Sequence, residues 1–283
     1  MMTDYTHRKS PHSRRARLNV RVRSFSAFAF GAWVMLFSLL ASIATVSAEI
    51  ESSQKVLAQG VHCFRTGCRL WNVDFLKEAE KHFEHAIKQK PKNAAAHYWL
   101  GACTFHIILH CYDNDGTPDK SQAIKKYTTE AISSLRKAIE LNPRDGESHA
   151  LLGTLLGMLI RENPLSSLWR GPRIKRHQDA ALRLAPESPR IYYLMGSARF
   201  HSPGILGSKE DALDFFLKAE KYYEKEQSRD QDPLAPQWGY SHCLAFIGQT
   251  YDALGKDRKA QAYYKKALSI NPHNWMAREG LHK

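Results

Sequence analysis

A glycine set in an apolar helical pattern recurs five times along this chain, as "RTGCRLW" at Gly67, "HYWLGACTF" at Gly101, "HALLGTLLG" at Gly153, "YYLMGSARF" at Gly196 and "AFIGQTY" at Gly248. Each is followed by a second amphipathic stretch, and four of these run into a proline: Pro91, Pro143, Pro186 and Pro272. Small residues at Ala79 and Ala86, Ala131 and Ala138, Ala212 and Ala219, Ala260 and Ala267 let adjacent helices come close. Phe83, Leu135, Phe216 and Tyr264 fill the space between them. One such helix pair cannot bury its apolar face alone. Neighbouring pairs must stack into a continuous core, and the stack curves to present a concave surface.

These residues resemble the tetratricopeptide repeat, a helix–turn–helix of 34 residues with small and large side chains at fixed positions. The last unit, roughly 241–274, matches nearly throughout with Gly248, Tyr251, Gly255, Ala260, Tyr264, Ala267 and Pro272. The resemblance covers about 60–283 and implies an all-α, right-handed superhelical solenoid of about five such repeats with insertions. The stretch "SPGILGSKEDAL" with "PQWGYSHCLAFIGQTYDALG" also looks like a group of exported bacterial repeat proteins. Successive glycines stand 34, 52, 43 and 52 residues apart, so three steps carry extra sequence. Most of it falls between the two helices of a repeat, in "CYDNDGTPDKSQAIKKYTTE", "RENPLSSLWRGPRIK" and "HSPGILGSKE"; the rest is expected to lengthen the helix around "KYYEKEQSRDQDPLAP".

Family register points Phe64 and Trp71, Tyr98 and Phe105, and Tyr193 and Phe200 toward the concave side, with His106 and His201 beside them. Repeat three offers only Ala150 and Gly157 there, and Thr154 completes a hollow. Either these aromatics line an open partner-binding groove, or they pack against the long insertions or the C-terminal helix and leave no groove. The Lys, Asn and Arg that clamp chaperone tails in this family are replaced by Phe64, Cys68, Tyr98 and Ala102, so that use is not implied.

The first 48 residues differ in kind. Seven basic residues and one acid precede an uncharged run over 24–48, the pattern of an export signal. Val46 and Ala48 suit cleavage before Glu49, but the run also exceeds the roughly 20 residues that span a bilayer. The leader is thus a signal peptide or a membrane anchor, and 49–283 is the repeat domain. Lys and Arg exceed Asp and Glu to give +13 overall, of which +7 falls on 49–283. That excess is dispersed among helices, without the basic stripe and stacking aromatics that nucleic acid requires.

Catalytic signatures are missing: the sequence holds no Cys-x-x-Cys, His-Glu-x-x-His, Gly-x-Ser-x-Gly or phosphate-cradling loop. "CYDNDG" imitates a calcium loop, yet Cys111 and Gln122 fall where its first ligand and its bidentate Glu belong. Of five cysteines, the pairs Cys63/Cys68 and Cys103/Cys111 are too far apart along their helices to bridge. A Cys68–Cys103 bond is geometrically open, free thiols are the alternative, and Cys243 stands apart. The expectation is a non-enzymatic interaction scaffold on the exported side of a membrane. It binds a protein or peptide in its groove and needs no cofactor or metal. The alternatives are a carrier of a small apolar ligand and an accessory subunit of an envelope enzyme or transport complex.

Overall fold

The computed structural model describes residues 52–113, 119–162, 164–202, 208–228 and 232–282. Antiparallel helix pairs follow one another along them. Helix α1 (52–70) pairs with α2 (Val73–Gln89), α3 (Ala94–Asp113) with α4 (Lys120–Leu141), and α5 (Gly146–Glu162) with α6 (Ser167–Leu184). Next, α7 (Pro189–Phe200) pairs with α8 (Lys209–Gln227) and α9 (Tyr240–Ala253) with α10 (Asp257–Ile270), and α11 (Trp275–Leu281) closes the stack. The all-α solenoid is therefore observed. The leader, 1–48, lies outside the described residues.

The helix stops share one chemistry. Lys90, Asn142, Ala185 and Asn271 each leave helical geometry while donating their N–H to the carbonyl of Ala86, Ala138, Ala181 and Ala267 respectively. A proline follows each of them. Proline disfavours helical geometry in the preceding residue and has no N–H with which to continue the ladder.

Within a pair, the recurring glycine receives the large residue of the partner helix. A Cβ on Gly101 would lie 2.6 Å from Leu135, one on Gly196 2.6 Å from the Phe216 ring, and one on Gly248 2.5 Å from the Tyr264 ring. Repeat three breaks the pattern, because the nearest atom to a Cβ on Gly153 is His177 Cβ at 3.4 Å. The cysteines are all free; Cys103, Cys111 and Cys243 are buried, while Cys63 and Cys68 are partly exposed.

The inserted sequence behaves differently from expectation. Most of "SQAIKKYTTE" is the first half of α4, with Ile124, Thr128 and Ala131 buried a turn apart. "SSLWRGPRIK" likewise begins α6, which carries Pro172 inside it. The segment after α8 does the reverse: the helix ends at Gln227 and 232–239 is irregular, so "DPLAPQWG" does not lengthen it.

Replacing Gly248 with Ala should overpack the Tyr264 contact and cost about 1–3 kcal/mol. Gly153→Ala should be neutral or stabilise by up to about 1 kcal/mol through helix propensity. Urea midpoints of the two variants against wild type check the contrast, and equal effects would refute it.

Candidate functional site

The odd-numbered helices supply the inward face, and the residues named by register meet there. They are covered. Phe64, Tyr98, Phe105, His106 and Tyr193 are each 5% exposed or less, so they form no open trough. Trp238, from the segment between α8 and α9, packs against three of them, Tyr98, His106 and Tyr193. Its ring lies 5.0 Å from His106 on α3 and 6.3 Å from Tyr193 on α7, both edge-on. Helix α5 packs against both α3 and α7; on it Ala150 is buried, and nothing lies within 4 Å of where a Cβ on Gly157 would stand.

Polar contacts fix the segment. Arg65 on α1 donates through Nη2 to the carbonyls of Pro233, at 2.8 Å, and Ala235, at 2.9 Å. The Trp238 indole N–H donates to Tyr98 Oη at 3.2 Å, and that hydroxyl donates to Glu147 at 2.8 Å. Glu147 also accepts from Arg190 Nε at 2.7 Å and Ser188 Oγ at 2.8 Å, while Arg190 Nη1 reaches Glu226 at 3.0 Å. Burial opposes the Arg190 charge, but Glu147 and the neighbouring acids outweigh it and raise its pKa. The next residue, Gly239, has φ +98°, and a Cβ there would meet the Tyr223 hydroxyl, which itself donates to the Trp238 carbonyl at 3.0 Å. Only glycine fits this corner.

The flanks of the inward face are less covered. Trp71 is half-buried between His110, 5.8 Å away, and His242, 5.1 Å away, and it takes the left-handed conformation (φ 51°) that usually falls to glycine. The Asn72 N–H reaches the Gly67 carbonyl across it at 3.0 Å, closing α1. Phe200 is half-buried and packs on Phe246 at 5.6 Å, with Lys209 Nζ 3.5 Å from its ring centre. His201 is exposed. Phe200 also borders an open cavity of about 540 Å³ with Gln249, Asp252, Asp257, Gln261 and Tyr264. Arg65, Trp238 and Phe246 touch these rings or the segment beside them, and register names none of the three. The signal for Trp238 was a tryptophan between Pro236 and Gly239 in a stretch without helical period.

Tetratricopeptide-repeat models match residues 64–106 and 241–274, the second with the bounds read from the sequence. The chain carries tetratricopeptide repeats. A model for "Regulator of microtubule dynamics protein 1-3" matches 106–202. Regulator of microtubule dynamics protein 3 of Mus musculus is 25% identical over 177 residues, covering 56% of this chain and 34% of its own length. The Rattus norvegicus protein is 27% identical over 165 residues, covering 52% and 32%. The chain thus spans about a third of the curated relatives it matches. Among solved structures, a thermophilic repeat protein of Thermus thermophilus superposes with TM-score 0.57 at 18% identity, over 81% of this chain and 97% of that one. The haemophore HusA of Porphyromonas gingivalis gives 0.56 at 20% identity, over 71% and 93%. These two show the fold alone.

Burial pulls His106 down to about 4 against the opposing hydrogen bond to Ala102, and pulls His242 to about 4 with help from His106. His242 Nε2 is buried without a hydrogen-bond partner. An unfolded histidine titrates near about 6.5. The folded state therefore resists protons that the unfolded chain accepts, and these groups lose stability as pH falls from about 6.5 to 4. Glu80, raised to about 7 by burial and nearby acids, and Asp113, raised to about 6 by burial, act in the opposite sense. A variant comparison isolates the histidine term. His242→Gln should gain about 1–2 kcal/mol relative to wild type between pH 7.5 and pH 5, read from urea midpoints. A pH-independent difference would contradict the buried neutral state.

Proposed function

We propose that this chain is a non-enzymatic scaffold whose concave helix face binds an extended protein segment, a site that Asp232–Gly239 occupies in cis. The observation that carries this reading is the strap itself. Its main-chain carbonyls are held by Arg65 and its one large side chain sits among Tyr98, His106 and Tyr193. Backbone capture plus an aromatic anchor is how a groove recognises an extended peptide. A competing partner would displace the strap or begin at the less covered flanks, Trp71 at one end and Phe200 and His201 at the other. The relatives' name, regulator of microtubule dynamics, agrees with a role exerted through protein partners. The basic-then-apolar leader supports a repeat domain on the exported side of a membrane, released by cleavage or held through 24–48. Binding of a small apolar ligand is the second reading, favoured by the open space beside Gly157.

A labelled peptide of residues 232–240, titrated into the protein by fluorescence anisotropy, tests the site. A tethered segment competes at an effective concentration on the order of millimolar. Trp238→Ala, which loosens the strap, should therefore bind the peptide at least about tenfold more tightly than wild type. Adding Arg65→Ala should reverse the gain. If Trp238→Ala keeps its helical spectrum and binds no peptide, the concave face is not a segment-binding site.

A further inference from the structure

We propose that Cys63, Glu78 and His82 form a site for a single thiophilic divalent cation, with chemistry that suits Zn²⁺, between α1 and α2. The thiol, the carboxylate and the imidazole each place one ligand atom within 4.8 Å of the other two. Around a tetrahedral Zn²⁺, with bonds of about 2.0–2.3 Å, ligand atoms stand roughly 3.5 Å apart. Small side-chain rotations close that difference.

The site follows from how the first pair packs. A Cβ on Gly60 would lie 2.6 Å from the Phe83 ring and 3.1 Å from His82 Cβ, so α1 and α2 approach closely there. Cys63 stands one turn along α1 from that contact. Glu78 and His82 stand four residues apart on α2, where side chains share a face. Among the described residues, none of the three side chains takes part in a hydrogen bond or ion pair, although Cys63 and His82 are partly buried. Glu78 and His82 also border an open cleft with Asp74, Lys77, Lys81 and His85. A thiolate and a carboxylate neutralise the charge of the ion.

Ligand type sets selectivity. A thiolate with an imidazole selects Zn²⁺ or Co²⁺ over Mg²⁺ and Ca²⁺, which prefer oxygen cages. A thiol must give up its proton to bind the ion, so affinity should rise with pH. Three protein ligands leave a fourth position for water or for a group from a partner.

The test is cobalt titration of the reduced, purified full chain, followed by thiolate-to-Co²⁺ charge-transfer absorption. One equivalent should develop the band, Zn²⁺ should abolish it, and excess Mg²⁺ should not. Cys63→Ser should remove the band. His82→Gln and Glu78→Gln should each weaken cobalt binding by about tenfold or more. Cys68→Ser, on the same helix but outside the cluster, should leave the titration unchanged. No band, a band that survives Cys63→Ser, a band that Zn²⁺ cannot displace, or unchanged affinity in both His82→Gln and Glu78→Gln would overturn the proposal. Helical circular dichroism accompanies each variant. Should Cys63→Ser unfold, the two α2 variants decide through the same band.

Discussion

The array depends on how closely two helices of one repeat can approach. Where Gly101, Gly196 and Gly248 receive Leu135, Phe216 and Tyr264, a missing side chain on one helix is the seat for a large one on the other. Each seat removes a large apolar group from water and fixes the pair's rotation about its axes. That rotation decides which side chains turn inward. Tyr98 and Tyr193 stand three residues before Gly101 and Gly196, on the same side of their helices, so the seats that hold Leu135 and Phe216 also set where these two rings lie. Repeat three is the exception. Gly153 receives no such group, and the third pair is tied to its neighbours partly through polar contacts, with Glu147 of α5 bound to Tyr98 of α3 and Arg190 of α7.

A buried ionic cluster of this kind seldom adds much net stability over an apolar alternative, but it loses heavily when one partner is removed. Its value here is positional. Glu147 orients the Tyr98 hydroxyl so that its oxygen accepts from the Trp238 indole, and the inward segment is thereby keyed to the junction between repeats.

Much of the architecture was legible from residue type alone. Pro91, Pro143, Pro186 and Pro272 end helices for reasons local to each proline, and glycine–aromatic complementarity identifies the pairs. The aromatic residues that meet across the repeats could be grouped by register, which is a property of one helix. What packs against them was not legible, because the Trp238 segment has no period and its contacts lie far off in sequence: Arg65 is 168 residues from Pro233. The cysteine, glutamate and histidine between α1 and α2 escaped for a related reason. Only the i, i+4 spacing of Glu78 and His82 shows in the sequence, and the thiol that completes the set comes from another helix. The extra residues of the second repeat extend α4, and the helical step of Ile124, Thr128 and Ala131 already shows that in the sequence.

The strap changes the order in which the chain can be finished. A linear stack completes each repeat with its neighbours, so it can mature behind the ribosome as it emerges. Here the ring of His106 waits for Trp238. At about 5–20 residues per second, some ten seconds or so separate the synthesis of α3 from that of its cover. Throughout that interval the aromatic face of the early repeats is bare, in the state most open to chaperones and to wrong partners. A chain truncated before Trp238 would remain in it.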